Sequence, residues 1–128
     1  MLAIPKVTKH IPRKREGMSD THLKMIRKLP CVVTGRRPVE AHHLLTGPGI
    51  VRGMAYKSAD RWAIPITKEV HDEIHNRFGN DYTYFQQRGI NAPALARDLW
   101  DASGDYSEMC RIVELYMKVG KKHSLDRQ

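Results

Sequence analysis

Two histidine pairs constrain this chain more than any other feature. The first is His42-His43, within Ala41-His42-His43-Leu44, and the second is His71 and His75, within Val70-His71-Asp72-Glu73-Ile74-His75. A spacing of four residues puts two imidazoles on one helix face, a turn apart, which is how a helix offers two nitrogens to one ion. Alone, H-x-x-x-H reads more simply as an exposed helix with two incidental histidines. The first pair shifts that balance. It closes a short apolar stretch, 39–45, with strand character. The 27 residues between His43 and His71 hold a loop, a second short strand and a turn into the helix. The expectation is a single metal site built from both pairs. Adjacent strand residues point to opposite faces. Both His42 and His43 can therefore serve one site only if the backbone is irregular there or the ion lies beyond the strand end.

The size and charge bound the class. A chain of 128 residues suits one domain with a modest core. No apolar run approaches the ~18 residues of a membrane span, and the N-terminus lacks the apolar stretch of a signal peptide. Cys31 and Cys110 are too few for a disulfide framework and form no C-x-x-C, so they read as inert thiols in a cytoplasmic protein. Residues 1–37 hold ten of the 22 Lys/Arg but only two of the 14 Asp/Glu, and so carry the whole net charge of +8. A basic arm on a neutral body implies attraction to phosphates, with Lys6, Lys9, Arg13, Lys14, Arg15, Arg36 and Arg37 as candidate contacts. The arm has no amphipathic aromatic face, which argues against a membrane surface.

Read in order, 1–18 is an extended basic arm and 19–128 a single domain, with a core at 30–78 and a helical part at 81–119. Ser19 or Asp20 caps a helix to about Leu29, ended by Pro30. Cys31 to Thr34 and Val39 to Leu45 form a hairpin around Gly35-Arg36-Arg37-Pro38. Residues 46–61 are glycine-rich and basic, with Arg52, Lys57 and Arg61 placed to meet phosphates. Trp62 to Ile66 is a short apolar segment. Thr67 caps the histidine helix, and Gly79 ends it. Further helices run from Asp81 to Arg88, from about Pro93 to Ala102, and from Asp105 or Ser107 to about Val119, followed by a polar tail. His10, His22 and His123 receive no role.

Ala41-His42-His43-Leu44, then Lys57, Asp60 and Pro65-Ile66, then His71-x-x-x-His75 resemble the HNH (ββα-metal) nucleases. The likeness is to small phage and prophage HNH-like proteins of the RecA-dependent nuclease (Ref) group. Arg88-Gly89-Ile90-Asn91 and Ala96-Arg97-Asp98-Leu99-Trp100 look like the helix that follows the motif there. The resemblance spans about residues 30–100. Thr34 and Thr67 stand where relatives often carry cysteine, and Val70 where they carry histidine, so a structural zinc on those positions is not expected. Asp60 is the nearest counterpart of the middle asparagine of an HNH motif.

The resemblance implies an α+β fold with a ββα-metal core, flanking helices and a basic N-terminal arm. It implies a metal-dependent DNA endonuclease of phage or prophage DNA processing or recombination. His42, His71 and His75 would be ligands, His43 the general base and Asp60 a supporting residue. Magnesium or manganese would support turnover, while three imidazoles also suit zinc. DNA would be the partner, with a recombinase–DNA filament as a further candidate. Two other readings compete. One is a non-catalytic nucleic-acid-binding or recombination accessory protein on the same fold. The other is a small interaction domain around a purely structural zinc, which would need four protein ligands.

Overall fold

The computed structural model describes residues 17–50 and 59–126, with backbone alone for Phe78 and for 124–126. The architecture is α+β. Helix α1 (Asp20–Ile26) is followed by strand β1 (Glu40–His43), a 3-10 turn (Asp60–Trp62), strand β2 (Ala63–Ile66), helix α2 (Lys68–Glu73) continuing into a π turn (Ile74–Phe78), then helices α3 (Asp81–Gln87), α4 (Ala92–Asp101) and α5 (Tyr106–Asp126). The only strands among the described residues, β1 and β2, pair antiparallel with Glu40 opposite Ile66 and His43 opposite Ala63.

The pairing partner of β1 differs from the expected one. Cys31 to Thr34 is a turn, not a strand: Gly35 N–H donates to Cys31 O at 2.8 Å and Cys31 N–H to Arg36 O at 3.0 Å. The buried Cys31 Sγ accepts from the N–H of Val33 and of Thr34, both at 3.4 Å. A chain curled this tightly around one thiol has no extended edge to offer. β1 therefore takes β2, whose four residues are all buried, and the sheet leads straight into the histidine helix. Cys31 and Cys110 are both free.

Side-chain caps set most helix starts. Ser19, Thr67, Asn80 and Asn91 each accept from the backbone N–H three residues on, satisfying donors that a helix leaves unpaired. At α3 the cap is Asn80 rather than Asp81, which frees the Asp81 carboxylate. Gly79 takes the left-handed conformation expected of a terminating glycine, at φ 64°.

α5 runs seven residues beyond Val119, so the expected polar tail is helix as far as Asp126. Gly120 is the reason. It is absent from the positive-φ glycines, and a Cβ there would stand 3.1 Å from Ile90 Cγ1 and 3.2 Å from Arg88 O. It acts as a close-packing residue inside the helix and not as a terminator. α5 contributes Met109, Ile112 and Val113 to the same buried core as Ile26, Leu44, Ile64, Phe85, Leu95 and Leu99. The folded body starts earlier than expected: Gly17 is buried, and its carbonyl accepts from Arg61 N–H at 2.8 Å. The remaining arm residues, 1–16, lie outside the described residues, as do 51–58. Lys6, Lys9, Arg13, Lys14, Arg15, Arg52 and Lys57 are thus not placed.

Candidate active site

β1 and α2 bring one strand histidine and two helix histidines together. The His42 and His71 ring centroids are 5.6 Å apart, and those of His71 and His75 5.9 Å apart and nearly parallel, at 21°. All three line one pocket of about 220 Å³ with Leu45, Thr46, Ile74, Gly79, Asn80 and Asp81. The near-parallel stacking follows from the backbone. His71 is in the α-helical part and His75 in the π turn, whose wider winding cancels part of the rotation that four α-helical residues would add. α2 is braced from its other side, where Glu73 accepts from Tyr84 Oη at 3.1 Å and pairs with Arg88 at 3.4 Å. Burial pushes the Tyr84 hydroxyl up to about 12.

Asp81 holds His42. One carboxylate oxygen accepts from His42 Nε2 at 3.0 Å and from Leu45 N–H at 2.8 Å; the other accepts from Thr46 N–H at 3.2 Å and from the Thr46 hydroxyl at 2.5 Å. Burial alone would raise the Asp81 pKa, but the bonds from His42, Thr46 and Leu45 outweigh it and leave the carboxyl below its usual range. Every neighbour is a donor, so Asp81 stays ionised and His42 carries its proton on Nε2. His42 Nδ1 is then the nitrogen with a lone pair to offer. A carboxylate behind a histidine in this way is the common support of a metal-binding imidazole. The sequence marks Asp81 only as a helix start. The Asn80-Asp81 doublet is the available signal: two capping residues stand where one cap is needed.

His43 goes elsewhere. β1 is regular, so consecutive side chains alternate faces, and His43 Nε2 donates to Asp60 Oδ1 at 2.7 Å. Asp60, 5% exposed, also accepts from Ser19 N–H at 2.9 Å through its other oxygen. The 3-10 turn thus ties the start of α1 to His43 through one carboxylate. The structure joins His42, His71 and His75 in one pocket and places His43 with Asp60 on the opposite face of β1.

The donor chemistry of the trio suits a divalent ion, but its geometry is open. With metal–nitrogen bonds of about 2.1 Å, two imidazoles on one ion have ring centroids roughly 5 Å apart. The observed separations exceed that by several tenths of an ångström to about 1 Å. Among the described residues, no three His, Cys, Asp or Glu side chains already converge as a ligand set. His71 Nδ1 lies 3.6 Å from Glu40 Oε1 across an exposed contact.

The described basic candidates divide. Arg61 lies beside Gly17, Trp62, Arg97 and Trp100. Arg37 is turned towards Lys28 O, at 3.2 Å, and Tyr106 Oη, at 3.5 Å, and Arg36 is exposed on the same turn. His22 is fully buried. Its Nδ1 shares a 2.7 Å hydrogen bond with Ser103 Oγ, and its Nε2 has no partner among the described residues.

A family described as "Protein of unknown function (DUF968)" matches residues 3–103. The chain belongs to this family. The DUF968 match takes in both histidine pairs, Asp60 and Asp81. No curated protein and no solved structure matches the chain significantly. No described helix is long and apolar enough to cross a membrane.

Proposed function

We propose that this protein is a metal-dependent endonuclease of the HNH (ββα-metal) type acting on DNA. The observation that carries the reading is the meeting of His42, from a two-stranded hairpin, with His71 and His75, from the helix that follows it, in one pocket. In this reading His42, through Nδ1, and His71 and His75 hold one divalent ion. Magnesium or manganese would serve turnover, and zinc also suits the imidazoles. The ion supplies Lewis-acid stabilisation of the charge on the phosphate and on the leaving oxygen.

The chain's own residues do the rest. Asp81 fixes the tautomer and direction of His42. Asp60 occupies Nε2 of His43, leaving Nδ1 to take a proton from water, a role worth roughly 10²–10⁴-fold in rate. His42 and His43 diverge from adjacent positions at the end of β1, so a phosphodiester that engages both would have to lie across that end. The basic residues 1–37 and Arg61 draw the polyanion in. The biological setting that fits is phage or prophage DNA processing in the host cytoplasm, with a recombinase–DNA filament as a candidate partner class.

The separation of His43 from the trio favours a second reading, a nucleic-acid-binding or recombination accessory protein without catalysis. A plasmid-nicking assay with magnesium, manganese or zinc separates the two. His43→Ala should abolish nicking while metal and DNA binding persist. Nicking by His43→Ala at the wild-type rate would remove His43 as the base, and no nicking by the wild type with any of the three ions would leave the second reading.

A further inference from the structure

Both tryptophans of the chain line one cleft of about 440 Å³, together with Gly17, Arg61, Arg97 and Asp101. Trp62 and Trp100 are only half-buried, although the core encloses side chains as large as Tyr84 and Phe85 completely. Trp100 stands edge-on to the buried His22, with centroids 4.9 Å apart, so a core residue anchors its position. Trp62 belongs to the 3-10 turn whose first residue, Asp60, holds His43, and its carbonyl accepts from Leu44 N–H at 3.1 Å. Arg61 and Trp62 on the cleft and Asp60 behind His43 therefore belong to one 3-10 turn.

Rigid, half-exposed indoles beside guanidinium groups have a specific chemistry. An aromatic face stacks on a nucleobase, whichever base it is, while arginine meets the phosphate. A base offers its face only when it is not stacked between duplex neighbours. Asp101 in the same cleft repels phosphate and can accept the N–H groups of a base edge. We propose that this cleft is a subsite for an unpaired nucleotide, so that the substrate includes a single-stranded or splayed segment rather than continuous duplex. The inference rests on the nucleic-acid reading of the adjacent site and adds to it the form of the substrate.

The two tryptophans make the test intrinsic. The full chain, in EDTA to prevent any cleavage, is titrated with a short oligodeoxythymidylate and, separately, with a blunt duplex of similar length, following tryptophan fluorescence. The oligodeoxythymidylate should quench the emission. Trp62→Ala should weaken its binding roughly 5- to 150-fold, with Trp62→Phe retaining most of it and duplex binding little changed. Arg97→Gln should weaken binding and lower the salt slope. Circular dichroism confirms that each variant is folded. Unchanged wild-type emission at saturating oligodeoxythymidylate overturns the proposal, as does equal affinity of folded Trp62→Ala. Equal loss of duplex binding by that variant also overturns it. A protein that nicks plasmid without quenching loses this subsite but keeps the nuclease reading; one that quenches but never nicks does the reverse.

Discussion

Removing the Asp81 carboxylate should damage both the fold and the pocket. Asp81→Ala leaves three donors without their acceptor, His42 Nε2 and the N–H groups of Leu45 and Thr46, while the Thr46 hydroxyl keeps Asn80 Oδ1 at 3.1 Å. A buried donor left unpaired costs about 1–3 kcal/mol. Leu45 is exposed and Thr46 half-exposed, so water compensates part of that loss at their groups. The sum should be about 3 kcal/mol. For a domain of this size that is on the order of 10 °C in Tm. Asp81→Asn keeps the shape and one acceptor oxygen, and should lose about half as much. Both should weaken zinc binding by roughly 10–100-fold, because His42 loses the group that fixes its tautomer. Differential scanning calorimetry reads the first effect and isothermal titration with zinc the second. An Asp81→Ala protein with wild-type Tm would refute the account of the clamp. Wild-type zinc affinity in folded Asp81→Asn would refute the support given to His42.

Other perturbations test separate parts of the structure. Burial lowers the His22 pKa below its usual 6.5, with Asp60 opposing more weakly. The native state therefore refuses a proton that the unfolded chain accepts. Stability is complete above about pH 6.5 and falls as pH drops towards the lowered value, by at most about 1.4 kcal/mol per pH unit. Urea midpoints at several pH values should show this slope for the wild type and lose it in His22→Leu. Gly89→Ala should cost about 2 kcal/mol or more in urea unfolding, since φ is 74° and a Cβ there would collide with the His123 side chain. Asp60→Ala should reduce nicking more than metal binding, because it releases His43 without touching the trio. Deleting 1–16 should weaken DNA binding and flatten its dependence on salt, by about 0.9 in slope for each phosphate no longer neutralised; an unchanged slope would exclude those residues from the interface.

The elements legible in the sequence are those with a local cause. Ser19, Thr67 and Asn91 are capping residues ahead of periodic apolar positions, and their helices start where that chemistry places them. The pairing of β1 is not legible, because Cys31-Val32-Val33-Thr34 has strand composition while its shape is set by hydrogen bonds to a thiol. The end of α5 is hidden for a related reason: Gly120 looks like a terminator until the approach of Ile90 is known. At the site, the i,i+4 spacing of His71 and His75 announces a shared face, and His42 joins it from a distant strand. The partners of the histidines are harder to read. Asp60 is legible only as the nearest counterpart of the asparagine of an HNH motif, and Asp81 only as the second capping residue of the Asn80-Asp81 doublet, while its partners lie across a fold contact.

The similarity to the family stops at residue 103, three residues before α5 begins. Met109, Ile112 and Val113 nonetheless fill the same interior as the sheet and α4. A fragment trimmed to the matched span would therefore present the undersides of Leu95 and Leu99 to water and should be recovered as aggregate. Anyone preparing this protein, or grafting its histidine pocket into another scaffold, has to carry the chain past Val113 to the buried Gly120.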